Sequence, residues 1–94
     1  MKIEFKSAIT RGGKILTPQR IEITENAVTL KQRNKMLIGI DRTSIPRKKI
    51  ASIEIDDKVW GVDIHIYSLG KAKIVANNFT LADAKRIKSL LSDD

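Results

Sequence analysis

The sequence predicts a mainly β domain: a barrel or sandwich of about seven antiparallel strands, closed by one C-terminal helix. Three observations support this fold class. Apolar residues, Ile above all, alternate with polar ones in short runs over most of the chain, as in half-buried strands. Turn-forming pairs such as Gly-Gly and Glu-Asn separate those runs. Apolar residues recur at helical spacing in the last segment.

Length and composition limit the class of protein further. Ninety-four residues are typical of one domain, spanning 1–94. The chain has no cysteine, which excludes a disulfide framework and a thiolate metal site. No apolar run approaches the roughly 20 residues that cross a bilayer, and the first residues lack a signal-peptide core. We therefore expect a cytoplasmic protein.

The alternation assigns each strand to a stretch of the chain. Arg11–Lys14 is predicted to be a hairpin turn because paired glycines accept positive φ. Pro46 should interrupt the chain and hold Ile45 extended, and three cations should then form a turn before a strand that buries Ala51, Ile53 and Ile55. Strands are expected at about 2–10, 20–24, 28–30, 36–40, 51–55, 62–66 and 72–76, with Asn77 and Asn78 ending the sheet region.

The last segment predicts one amphipathic helix over 80–92. Thr80 is the expected N-cap, with Asp83 at the third helical position completing a variant capping box. The expected apolar face consists of Leu81, Ala84, Ile87, Leu90 and Leu91. Such a face should close an open end or corner of the sheet.

The charge balance favours an anionic partner. Eighteen Lys and Arg against 11 Asp and Glu give a net charge of +7, which attracts nucleic acid, anionic lipid or an acidic protein. The four aromatic residues are spread along the chain. Proteins that bind single-stranded nucleic acid usually group aromatics for base stacking, so this composition disfavours that class.

Basic residues near the predicted hairpins are the candidate binding site. Arg suits bidentate contacts to phosphate, although such residues are also typical of a solvated loop. Trp60 is expected either to pack on the core or to anchor a partner or a bilayer interface. The candidate residues for an anion or a partner are Lys31, Arg33, Lys35, Arg42, Arg47, Lys48 and Lys49.

The sequence does not predict a catalytic, cofactor or metal site. His65 is the single histidine, and it should lie on the outer face of its strand because Ile64 and Ile66 point inward. Asp56, Asp57 and Asp63 lack the spacing of a calcium loop, so a turn is favoured there.

The segments ITENAVTLKQR, MLIGIDRTSIPRKKIASIEI, VDIHIYS and FTLADAKRIKSLL resemble the bacterial pleckstrin-homology (PH)-like domains over about residues 20–92. Those domains carry an Ile-Pro, a polar spacer and an Ile-x-Ser-Ile-x-Ile strand, matched here by Ile45-Pro46 and Ile50–Ile55. The resemblance implies two near-orthogonal antiparallel sheets of seven strands and a closing C-terminal helix. It also implies a binding module rather than a particular ligand.

We therefore expect a non-enzymatic interaction module without a cofactor. Its basic hairpin tips would capture an anionic surface, either lipid headgroups at the inner membrane surface or an acidic protein. Its sheet edge would pair with a peptide strand or a second copy of the chain. The alternative is a small basic β-barrel that binds nucleic acid.

Overall fold

Two larger antiparallel sheets, a two-stranded hairpin and a C-terminal helix make up the described part of the chain. The structure is a computed structural model that describes residues 2–7, 10–11, 14–15, 19–33, 40–59 and 61–92. The elements are β1 (Lys2–Lys6), β2 (Thr10–Arg11), β3 (Lys14–Ile15), β4 (Gln19–Thr24), β5 (Ala27–Arg33), β6 (Ile40–Pro46), β7 (Ile50–Lys58), β8 (Gly61–Ser68), β9 (Lys73–Phe79) and α1 (Leu81–Ser92).

The strands divide into a four-stranded sheet, a three-stranded sheet and a short hairpin. The strand orders are β1-β4-β5-β6 and β7-β8-β9, while β2 pairs with β3. The predicted mainly β class with a C-terminal helix is thus confirmed. The sheets do not close into a barrel within the described part of the chain.

Strands β4 and β5 follow the predicted alternation closely. Ile21, Ile23, Val28 and Leu30 are buried, and Ile21 lies opposite Leu30 in the β4–β5 register. The turn between these strands is held by the Thr24 hydroxyl, which accepts hydrogen bonds from the backbone N–H groups of residues 26 and 27 at 3.2 and 3.1 Å. This is the local turn chemistry that Thr and Asn favour.

Gln19 joins the two sheets. Its backbone N–H donates to the Ser7 hydroxyl at 2.8 Å, and its side-chain oxygen accepts from the backbone N–H of Asn77 on β9 at 2.7 Å. Gln19 is buried, so these hydrogen bonds satisfy groups that would otherwise be costly to bury. β9 therefore lies against the first sheet, and the core lies between the two sheets.

The helix begins as predicted and covers the second sheet. The backbone N–H of Asp83 donates to the Thr80 hydroxyl at 3.1 Å, which confirms the N-cap. The helix packs against β7 and β8. Ala84, Ile87 and Leu91 are buried, whereas Leu81 is exposed and was wrongly predicted to face the core.

Strand β6 runs further than the sequence predicts. The expected strand at 36–40 lies outside the described residues apart from Ile40. The observed strand covers Ile40–Pro46 and pairs with β5 along its whole length. Its inward positions are Thr43 and Ile45, and one of the two is polar, so the apolar alternation on which the prediction relied was too weak to identify it.

Strands β7 and β9 also differ from the prediction. The register shifts between Ile50 and Ser52, so Ala51 falls at a β-bulge and is exposed, contrary to the prediction that it faces inward. Since β7 is an edge strand, Ile53 and Ile55 are half-buried rather than central to the core. Strand β9 continues past Asn77 and Asn78 to Phe79, which is fully buried.

Within the described part of the chain, the helix is 12 residues long. No helix there has the length and apolar character required to cross a membrane.

Candidate functional site: two cationic surfaces

Four cations lie side by side across the outer face of the four-stranded sheet. Lys6 is opposite Arg20, Arg20 is opposite Lys31, and Lys31 is opposite Arg42. We call these four residues the cationic row. Adjacent strands are about 4.8 Å apart, so the row spans about 14 Å.

The neighbouring positions on this face partly neutralise the row. Lys31 binds the Glu22 carboxylate at 2.5 Å, and Lys2 approaches the same carboxylate at 3.6 Å. The hydrogen bond from Lys31 is the main reason that the pKa of Glu22 lies below its usual range; the positive charge of Lys2 acts in the same direction. Arg20 reaches Glu4 at 3.9 Å.

The two ends of the row carry free charge. Lys6 and Arg42 are exposed, and neither has an acidic partner among the described residues. Like charges that face each other across a strand pair are unfavourable, so this row carries electrostatic repulsion that an anion would relieve.

A second group of cations surrounds the hairpin between β8 and β9. The described residues Lys48, Lys49, Lys71 and Lys73 are exposed, and Leu69 at the hairpin tip is 69% exposed. We call these five residues the cationic end. Its cations come from the short 3-10 turn Arg47–Lys49 and from the residues that follow the tip.

Hydrogen bonds fix the backbone of the cationic end. The Leu69 N–H donates to the Lys49 carbonyl at 2.7 Å, which joins the hairpin to the 3-10 turn. The Ser68 hydroxyl donates to the Ala72 carbonyl at 2.7 Å and accepts from the Gly70 N–H at 3.2 Å. A groove of about 320 Å³ lies between the two segments, lined by Ile45, Pro46, Lys49, Ser68, Leu69, Gly70, Lys71 and Ala72.

The segments that form the cationic end contain no acidic residue. No acidic residue occurs between Asp41 and Glu54 or between Asp63 and Asp83. The opposite end of β8 is acidic, because Asp56, Asp57 and Asp63 lie around it. Lys58 binds Asp63 at 3.0 Å, and this hydrogen bond is the main cause that raises the pKa of Lys58.

Arg47 is half-buried, and its guanidinium bonds to backbone carbonyls. Its side chain donates to the Thr24 carbonyl at 3.2 Å and to the Leu90 carbonyl at 2.7 Å. Leu90 lies in the last turn of α1, where carbonyls lack helical partners. Arg47 therefore joins the β4–β5 turn to the end of the helix.

The structure separates the predicted binding residues into these different places. Lys31 and Arg42 share the cationic row, Lys48 and Lys49 belong to the cationic end, and Arg47 bonds to backbone carbonyls. The side chain of Arg33 and all of Lys35 lie outside the described residues, as does Trp60.

Sequence reasoning missed several residues of the two surfaces. Lys6 and Arg20 are on the row because of pairing register, which local alternation does not reveal. Leu69, Lys71 and Lys73 were not predicted as site residues. The acid-free stretch between Asp63 and Asp83 was the available signal for them.

His65 and the aspartates do not form a metal-binding group among the described residues. His65 stacks on Tyr67 with ring centroids 6.3 Å apart. Its Nδ1 is buried without a hydrogen-bond partner among the described residues. The described residues contain no group of three or more His, Cys, Asp or Glu that could hold a metal ion.

Comparisons with known proteins found no relative. No protein-family model, no curated protein and no solved structure matches this chain.

Proposed function

We propose that this chain is a non-enzymatic, PH-like interaction module, and that one surface of it binds the anionic headgroups of a phospholipid membrane. The observation that carries the proposal is the cationic end: four exposed lysines around one hairpin, on segments that contain no acid. Each Lys or Arg near an anionic bilayer contributes about 1 kcal/mol of attraction. Four such residues are enough to recruit a small protein reversibly.

Two features support the PH-like assignment. The seven strands of the two antiparallel sheets and the C-terminal helix agree with the element count that the resemblance implies, although the β2–β3 hairpin is additional. The motif itself lies where β6 ends and β7 begins, so the polar spacer between Pro46 and Ile50 becomes the cationic 3-10 turn.

Vesicle co-sedimentation tests the function. The protein should bind mixed phosphatidylglycerol–phosphatidylcholine vesicles and should not bind phosphatidylcholine alone. Binding should weaken as salt screens the charges. Equal binding to both kinds of vesicle, or to neither, would refute the proposal.

A pair of matched variants tests which surface is used. K49Q/K71Q removes two charges from the cationic end and should weaken vesicle binding about 30-fold, at about 1 kcal/mol per charge. K6Q/R42Q removes two charges from the cationic row, at residues without a described acidic partner, and should have a much smaller effect. If K6Q/R42Q has the larger effect, the cationic row is the binding surface.

The cationic row favours a second candidate, binding of a nucleic-acid backbone. Its four charges cross the sheet at regular strand spacing, and a groove or stripe of cations is suited to track a chain of phosphates. In this case K6Q/R42Q should weaken binding of a DNA or RNA oligonucleotide more than K49Q/K71Q does. The logarithm of the binding constant should also fall linearly with the logarithm of salt concentration. An absence of binding at low salt would exclude this candidate.

A further inference from the structure

Leu69 projects from the middle of the cationic end. Isolated exposed apolar side chains are common on protein surfaces and need no explanation alone. Leu69 differs because it lines a groove together with the apolar residues Ile45, Pro46 and Ala72, and Lys49 and Lys71 line the same groove. An apolar tip with flanking cations matches the boundary between acyl chains and anionic headgroups.

Two backbone N–H groups at the hairpin tip are already hydrogen-bonded within the protein. Backbone groups that leave water must have hydrogen-bond partners. The Leu69 and Gly70 N–H groups both donate within the cationic end, to the Lys49 carbonyl and the Ser68 hydroxyl. Insertion of the tip therefore need not expose these two donors to an apolar surrounding.

The other end of the three-stranded sheet provides an internal comparison. Val59 is 98% exposed at the β7–β8 hairpin, so both ends display an apolar tip. Asp56 and Asp57 precede the Val59 tip, and Asp63 pairs with Asp56 across the strands. β8 runs for eight residues between the tips, which places them roughly 25 Å apart. An anionic bilayer should thus attract one tip and repel the other.

We infer that the protein docks end-on, with Leu69 inserted into the headgroup layer of an anionic bilayer and the cationic end facing the phosphates. This inference rests on the proposed membrane function and adds the inserted residue and the orientation. The long lysine side chains can extend their ammonium groups to the phosphates while Leu69 lies deeper.

Site-specific fluorescence tests the inference directly. The native chain has no cysteine, so L69C and V59C each provide one position for an environment-sensitive thiol-reactive fluorophore. With phosphatidylglycerol–phosphatidylcholine vesicles, the label at position 69 should shift to the blue and become protected from an aqueous quencher. The label at position 59 should remain accessible. L69S should weaken vesicle binding about tenfold, as expected for partial burial of one leucine.

The outcomes separate the inference from the function on which it rests. Vesicle binding without a spectral shift at position 69 would overturn the insertion and leave membrane binding intact. Equal shifts at positions 69 and 59 would overturn the end-on orientation. If the unlabelled protein does not bind anionic vesicles at all, the proposed function fails and the inference fails with it.

Discussion

Replacement of Arg47 should destabilise the fold, whereas replacement of the neighbouring Lys48 should mainly weaken membrane binding. The perturbation is R47M, which keeps an apolar stem of similar length and removes the guanidinium. The guanidinium donates to the Thr24 and Leu90 carbonyls at 3.2 and 2.7 Å. R47M therefore leaves two half-buried carbonyls without their donors.

The size of the effect depends on those two bonds. A hydrogen bond that involves a charged group contributes about 1.5–3 kcal/mol, and a cation at a helix C-terminus adds about 0.3–1 kcal/mol. Both carbonyls are partly open to water, which can replace part of each bond. We expect R47M to lower the free energy of unfolding by about 2 kcal/mol, or the Tm by about 8–16 °C for a domain of this size.

Urea denaturation and vesicle binding should be measured on R47M and on K48M. Lys48 is the adjacent cation, exposed and without a partner among the described residues. K48M should change the free energy of unfolding by less than about 0.5 kcal/mol, but should weaken binding to anionic vesicles about fivefold. In hydrogen exchange, R47M should reduce amide protection in the last turn of α1 first.

Equal stability of R47M and the native protein would refute the structural role assigned to Arg47. A loss of vesicle binding in folded R47M that exceeds the loss in K48M would show that Arg47 contacts the membrane, in agreement with its prediction from the sequence as an anion- or partner-binding residue.

Two further predictions concern the cationic row. The pKa of Glu22 is lowered, first by its hydrogen bond from Lys31. This pairing therefore stabilises the fold fully at pH values above the ordinary carboxylate pKa. The stabilisation is lost as the pH falls through the lowered pKa. E22Q should therefore flatten the acid side of a stability–pH profile measured by urea denaturation, and K31M should flatten it likewise; an unchanged slope in both would contradict the pairing. Arg42 faces Lys31 across the β5–β6 pair, so R42T should raise the free energy of unfolding by about 0.2–1 kcal/mol. R42K keeps the charge and should not raise it. Equal gains for the two variants in calorimetry would exclude charge repulsion as the cause.

Local patterns in the sequence determined the inward residues of most strands and the helix. Ile21, Ile23, Val28 and Leu30 alternate with polar residues because a strand turns successive side chains to opposite faces. Thr80 is recognisable as an N-cap because its hydroxyl bonds to an amide only three residues away. Such features depend on neighbours in the chain, so they can be predicted from it.

Pairing between strands was decided by the tertiary structure. The bulge that exposes Ala51 is a mismatch of β7 against β8, and its position depends on both strands. The long β6 pairing likewise depends on β5, because Thr43 and the polar residues around it carry little strand signal of their own. The sequence therefore predicted the seven strands of the two larger sheets better than it predicted where those strands end.

The candidate surfaces show the same division. The sequence by itself determined the net charge of +7, the cations at Lys48 and Lys49, and the acid-free stretch around Leu69. Only the folded chain brought Lys6 into one row with Arg42 and turned Arg47 inward to the helix end. The physical reason is distance along the chain: alternation acts over two residues, whereas register and helix docking join residues that are tens of positions apart.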